Sequence, residues 1–170
     1  MRVLVVHESL WGNTRKVAEA VARALEPIAT VDVVDTDSAP DVVEGYDLLI
    51  VGGPTHAFSM SRKSTREGAR QQDADVHVPA RGIREWLDDL TPVTVPIPSA
   101  AFDTRVNSPR LPGSAAKAAR HELRSRGFDV AIKPVSFRVH GYQGPLVDGE
   151  LERAAAWARG LVSGLAVPAL

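Results

Sequence analysis

The sequence contains no cysteine, which excludes disulfides, thiolate metal sites and a cysteine nucleophile and agrees with a cytoplasmic location. It has no uninterrupted apolar run of about 18 residues, so no membrane insertion is expected. Its first residues pass straight into a strand pattern without a basic-then-apolar leader, so no signal peptide is expected. Charge of one sign is also lacking: a formal net charge of −1 gives no footprint for nucleic acid or an anionic bilayer. Neither G-x-x-x-x-G-K-[ST] nor G-x-G-x-x-G occurs, which removes the two commonest glycine-rich nucleotide loops. The five histidines lack the paired spacing of a metal helix, so no metal site is expected, and no G-x-S-x-G nucleophile elbow is present. Internal repeats and low-complexity tracts are absent as well. At 44% apolar and 24% charged residues over 170 positions, one domain spanning 1–170 with a substantial core is expected.

What is present centres on His7-Glu8-Ser9-Leu10-Trp11-Gly12-Asn13-Thr14-Arg15. Ahead of it, Val3-Leu4-Val5-Val6 reads as a parallel strand covered on both faces. Behind it, Val17, Ala20, Val21, Ala24 and Leu25 fall on one face of a helix that Pro27 ends. The link is therefore a strand-to-helix turn, with unpaired N–H groups and the positive end of a helix dipole. Ser9, Asn13 and Thr14 add side-chain donors, and Gly12 permits close backbone approach. This is either a phosphate cradle or a well-capped helix start.

Further along, the pattern predicts a strand at 31–34 and a loop at 35–40. An acidic residue some 20 positions after a glycine turn can bind ribose in a dinucleotide fold, but without the glycine fingerprint Asp35 and Asp37 read as solvated loop carboxylates. The central strand is Tyr46 to Thr55, ending abruptly at Gly52-Gly53-Pro54. Strand, helix, strand, short helix, strand is the grammar of an α/β, doubly wound, five-stranded parallel sheet of order 2-1-3-4-5, in which ligands lie beyond the carboxyl ends of strands 1 and 3. Residues 62–81 read as a polar, partly helical excursion. Within it Arg62, Lys63, Arg66 and Arg70 form either a basic lip over the site or a solvated face. A helix at 82–90, a fourth strand at 93–102 interrupted by Pro96 and Pro98, a helix opened by Gly113-Ser114 and closed by Gly127, a fifth strand at 130–139 and a last helix at 151–165 complete the order. The run 101–105 reads as a third strand-to-loop junction on the same side of the sheet.

Ser9-x-x-Gly12-Asn13-Thr14 resembles the FMN phosphate loop of flavodoxins, and Gly52-Gly53-Pro54-Thr55 is similar to the Gly-x-Pro-Thr loop of flavodoxin-like oxidoreductases. The resemblance spans essentially the whole chain and implies the three-layer flavodoxin-like fold with FMN as cofactor. Carried over, Ser9, Leu10, Trp11, Gly12, Asn13 and Thr14 would hold the phosphate. Pro54, Thr55, His56, Ala57 and Phe58 would border the flavin ring, and Phe102, Asp103, Thr104 and Arg105 would form a third wall. Trp11 stands where many flavodoxins carry Thr. Phe58 and Phe102 are each either a stacking partner or a core plug. His56 is either a proton donor or a polar loop residue; Arg105 lies by the pyrimidine end, pairs with Asp103 or points to solvent. His140 and Tyr142 sit in a glycine-flanked rim after strand five.

The implied function is an FMN-binding redox protein passing electrons between a reductase and an acceptor, with a redox protein or a small molecule such as a quinone as partner. An FMN-dependent NAD(P)H:quinone-type oxidoreductase is the alternative, and a non-flavin binding or signalling module on the same fold is the third reading. The loop 54–60 contains no glycine, the residue that most readily permits a peptide flip beside the flavin, which leans the expectation toward two-electron chemistry. Near-neutral net charge also departs from the strongly acidic electron shuttles of that family.

Overall fold

The computed structural model describes residues 1–165. In chain order the elements are β1 (Arg2–His7), α1 (Asn13–Leu25), β2 (Thr30–Asp35), β3 (Leu48–His56), β4 (Ser59–Met60), α2 (Lys63–Gln72), α3 (Ile83–Asp89), β5 (Ser99–Val106), α4 (Ala115–Ser125), β6 (Val135–Val139) and α5 (Glu150–Leu165). The strands β2-β1-β3-β5-β6 form one parallel sheet, and β4 folds back antiparallel on β3. Counting only the five parallel strands, the order is the expected 2-1-3-4-5. Among the described residues, no helix is long and apolar enough to cross a membrane.

Side-chain alternation sends the apolar residues of the strands to two covered faces. Leu4, Val6, Leu49, Val51 and Ala101 face a layer built from Ile83, Trp86 and Leu87 of α3 and Ala115, Ala119 and Leu123 of α4. Val3, Val5, Leu48, Ile50, Ala100 and Phe102 face the other layer, with Val17, Val21 and Leu25 of α1 and Ala154, Ala158 and Leu161 of α5. Both faces are covered, which makes Val3–Val6 of β1 and Leu48–Val51 of β3 apolar throughout. Each strand then delivers its carboxyl end to one rim of the sheet.

Four sequence expectations change at this level. No helix joins β2 to β3; turns at 36–47 make the crossing. The fourth parallel strand starts at Ser99 and not at Val93, because Pro96 and Pro98 cannot donate to a ladder. It also runs through Val106, so 101–105 lies inside the strand instead of at a junction. The fifth starts at Val135, just past Pro134. The excursion does contain a helix, α2, preceded by the two-residue strand β4 that the sequence pattern did not reveal.

Candidate functional site

The β1–α1 link leaves its backbone donors open. Among the described residues, no N–H from Ser9 to Arg15 has a protein acceptor; the pattern resumes with Lys16 N donating to Gly12 O at 3.0 Å. Gly12 takes φ 88°, a left-handed conformation that turns the chain into α1 without a Cβ penalty. Ser9 Oγ is buried and has no partner. Thr14 Oγ1 and Thr104 Oγ1 lie 2.7 Å apart, and since one donates to the other, the pair keeps one O–H to spare. Asn13 Nδ2 donates to Gln143 O at 2.9 Å, pinning the loop after β6 to the start of α1.

From this loop a narrow slot runs between Thr14, Pro54, Thr104 and Gly141 into a wider cleft of about 360 Å³. Trp11, Thr55, His56, Arg105, Val106 and Tyr142 line both parts. The wider part is mostly apolar, closed by Ala57 and Phe58 on one side, Leu111 and Pro112 on another, and by Thr65, Gly68, Ala69 and Gln72 of α2 on a third. Phe58 and Tyr142 are 55% and 71% exposed, which leaves their rings free to meet a ligand.

The turn from β3 into β4 is strained. Thr55 pairs with Met60 and His56 with Ser59, leaving Ala57 and Phe58 as the two turn residues at φ 45° and 71°. Positive φ at both centres is the type I′ hairpin pattern, which favours Asn-Gly and disfavours any residue with a Cβ. The surroundings hold it there. Arg84 donates to Ser59 Oγ at 3.3 Å and to Met60 O at 3.0 Å. Gly113, at φ 81°, lies so close that a Cβ on it would stand 2.0 Å from Phe58 O. Strain over-determined in this way marks ligand sites more often than ordinary turns.

A buried polar network lies beneath the site. Ser61 Oγ donates to Glu8 Oε1, and Ile83 N donates to Glu8 Oε2 at 2.8 Å. Arg66 donates to Ser61 Oγ at 2.9 Å and to Glu85 Oε1 at 3.1 Å. Glu8 and Arg66 are 1% and 2% exposed, so the network fixes α2 and α3 against the β1–α1 link. Burial pushes the Glu8 carboxyl up from its ordinary range, against the opposing pull of Ser61, Ile83 and Arg66. Arg66 is therefore not part of a basic lip; only Arg62, Lys63 and Arg70 of that group are exposed.

The third-wall residues separate by strand parity. Phe102 does not reach the cleft. It faces the α1–α5 layer, edge-on to Phe137 and Trp157 with centroids 5.9 and 6.1 Å away. A Cβ on Gly52 would stand 2.0 Å from its ring, so that glycine is the space Phe102 fills. Asp103 is fully buried on the opposite face. Its Oδ2 accepts from Thr55 Oγ1 at 3.1 Å, Ser114 Oγ at 2.5 Å and Ala116 N at 3.0 Å, which fastens the start of α4 under the Pro54-Thr55 loop. Arg105 does not pair with Asp103; it donates to Leu111 O and bounds the cleft. His56 lies beside Trp11 with ring centroids 6.5 Å apart. Burial, then the nearby Arg66, pushes its imidazole down to about 4, so at neutral pH the ring is uncharged. The α2 wall, Leu111 and Pro112 escaped the sequence reading, since short polar helices and loop apolars carry no periodic signal.

No protein-family model matches the chain. Among solved structures, flavodoxin 1 from Bacillus cereus superposes with a TM-score of 0.69 at 18% identity, over 96% of this chain and 98% of that one. A flavodoxin from the domain Archaea gives 0.63 at 17% identity, over 97% and 99%. The fold is that of the flavodoxins. A larger protein also contains this flavodoxin-like unit: rubredoxin oxygen:oxidoreductase from Desulfovibrio gigas matches 98% of the chain with 37% of its own length, at a TM-score of 0.59 and 20% identity.

Proposed function

We propose that the protein binds FMN and passes electrons between a reductase and an acceptor, either a redox protein or a small molecule such as a quinone. The observation that carries this reading is the run of seven open N–H groups from Ser9 to Arg15, set at the narrow end of a cleft whose wide end is apolar. A phosphate monoester needs many donors and tolerates the lack of a cation at a helix start. A flavin ring needs flat apolar faces with a few polar groups at its edge. The buried, unpartnered Ser9 Oγ and the spare O–H of the Thr14–Thr104 pair match the first requirement. Phe58, Leu111, Tyr142 and the α2 wall match the second. When bound, FMN would supply the redox chemistry; the chain's own part is to hold the phosphate, shield the ring from water and offer neutral His56 as a hydrogen-bond partner.

The apolar cleft also offers room for a small acceptor such as a quinone, which keeps the oxidoreductase reading next in line. The deciding test is the absorption spectrum of the purified protein before and after FMN addition and desalting. A retained flavin band with quenched fluorescence supports the reading. A colourless protein after reconstitution refutes it and leaves a binding or signalling module on the same fold. With flavin retained, NAD(P)H consumption with a quinone at enzymatic rates would favour the oxidoreductase over the carrier.

A further inference from the structure

A second cleft of about 360 Å³ lies on the far side of the β1–α1 link, between the carboxyl ends of β1 and β2 and the segment 73–79. It shares Ser9, Leu10 and Trp11 with the first cleft, while His7, Asp35, Thr36 and the 73–79 segment belong to it and have no part in the flavin reading. Four buried side-chain polar atoms among the described residues have no hydrogen-bond partner: His7 Nδ1, Ser9 Oγ, Thr36 Oγ1 and Asp103 Oδ1. Three of the four belong to residues that line this cleft. His7 and Thr36 are 7% and 0% exposed, so their lack of partners is a real cost that a ligand can lift. Thr36 is otherwise satisfied: its N donates to His7 O at 3.0 Å and its O accepts from Arg81 Nε at 3.0 Å. The hydroxyl alone is left over.

The remaining walls indicate which ligand. Asp35 ends β2 directly opposite His7 of β1, and its Oδ1 accepts from Ser38 N at 2.8 Å, which fixes the carboxylate at the strand end. In dinucleotide-binding sheets with a glycine fingerprint, which this chain lacks, a carboxylate at the end of the second strand accepts ribose hydroxyls, and the fixed Asp35 stands at that place here. Trp11 forms an aromatic wall, with Nε1 donating to Asp73 Oδ2 at 3.3 Å, and Leu10, Val76 and Pro79 add apolar surface for a flat base. Asp35, Asp73 and Asp75 together disfavour a phosphate, with Arg15 as the arginine on the lining. Among the described residues, no group of three or more His, Asp or Glu is placed to hold a metal ion. We infer that this second cleft binds a nucleoside through its ribose diol at Asp35 and Thr36, with the base against Trp11 and no phosphate on the 2′-oxygen. The nucleoside is either free or the adenosine end of a dinucleotide such as NADH. The inference does not depend on FMN, although the two clefts share Ser9, Leu10 and Trp11.

The test is isothermal titration of the full chain with adenosine, run on the protein as purified and again after FMN addition. Adenosine is expected to bind in both, with 2′-deoxyadenosine and 2′-AMP weaker by about tenfold or more, the loss of a hydrogen bond to a charged group or the gain of a like charge. Asp35→Asn and Thr36→Val should each weaken adenosine by about tenfold, while Phe58→Ala in the first cleft leaves it unchanged. Thr36→Val also removes an unpartnered hydroxyl and should leave the ligand-free fold as stable or more so, which separates lost binding from lost structure. Tighter binding of NADH than of adenosine, equally sensitive to Asp35→Asn, assigns the dinucleotide; equal binding assigns the free nucleoside. Absence of adenosine binding at millimolar concentration, displacement of adenosine by FMN, or indifference to both variants overturns the inference.

Discussion

Replacing Ala57 with glycine should stabilise this protein, against the usual direction of such a change. Ala57 is exposed and sits at φ 45° as the first central residue of the β3–β4 turn. A left-handed conformation costs an L-residue about 1–2 kcal/mol, and glycine none of it. Glycine's greater freedom in the unfolded chain returns about 0.4–1 kcal/mol of that gain. The methyl lost is solvent-facing, so burial contributes little. The net is a gain of about 0.5–1 kcal/mol, or roughly 1–4 °C in Tm for a chain of this size. Ala20→Gly in the middle of α1 is the control, and should lose at least about 0.5–1 kcal/mol. Thermal melts of the two variants beside the parent decide it. If Ala57→Gly melts below the parent by as much as the helix control, the turn is not left-handed at 57 and the strain argument fails.

The same substitution reaches into function if FMN is bound. Rotating the 57–58 peptide converts a I′ turn to II′, which keeps φ positive at the first central position but needs a ψ there that glycine alone takes easily. Ala57 therefore resists the flip more specifically than the absence of glycine from the loop suggests. In FMN-loaded Ala57→Gly the two one-electron potentials should move apart relative to the parent, as read by spectroelectrochemical titration. A raised Tm with unchanged potentials would keep the strain argument and discard the link to electron count.

Ser9→Ala removes a donor that has no protein partner, so it should weaken FMN binding by about tenfold or more without lowering apo stability, as fluorescence titration and melts would show. A variant that binds FMN as before places the phosphate elsewhere. Arg66→Met leaves Ser61 and Glu85 without their buried cation and should cost about 2–4 kcal/mol in urea unfolding. A loss under about 1 kcal/mol would mean the network relaxes to include water. Glu8→Gln tests the raised carboxyl. A carboxyl whose folded pKa lies above its unfolded value penalises the fold at neutral pH, and that penalty disappears as pH falls through the folded pKa toward 4.5. The Tm of Glu8→Gln relative to the parent should therefore decline from pH 7 toward pH 5, and a constant difference would show that Glu8 is not desolvated.

How much of this was legible in the sequence depends on whether a residue's role is set along the chain or across it. The β1–α1 link was readable because Val3–Val6, Gly12 and the Val17–Leu25 stripe are local signals. Strand order followed from element order, because parallel crossovers leave few choices. The prolines at 96, 98 and 134 lie inside the stretches that the sequence pattern assigns to the fourth and fifth strands, and strand starts are set by partners: Ser99 begins pairing where Leu49 lies beside it. Phe102 shows the limit most clearly. Its neighbours Asp103 and Thr104 bind loop and helix at the rim, and sequence adjacency alone suggested one wall. Parity sends Phe102 to the opposite face from Asp103, but parity cannot say which of the two faces points toward a ligand. What settles it is the register between strands, which places Phe102 beside Gly52, a position with no side chain to exclude the ring. An aromatic on one strand and a glycine at the same level on the next, both on core-covered strands, form a single packed unit. That pairing is invisible until the register is known, and it removes a ring from the list of candidates for the ligand. The rings of Trp11, Phe58 and Tyr142 that line the cleft each come from a different loop at the sheet's carboxyl rim.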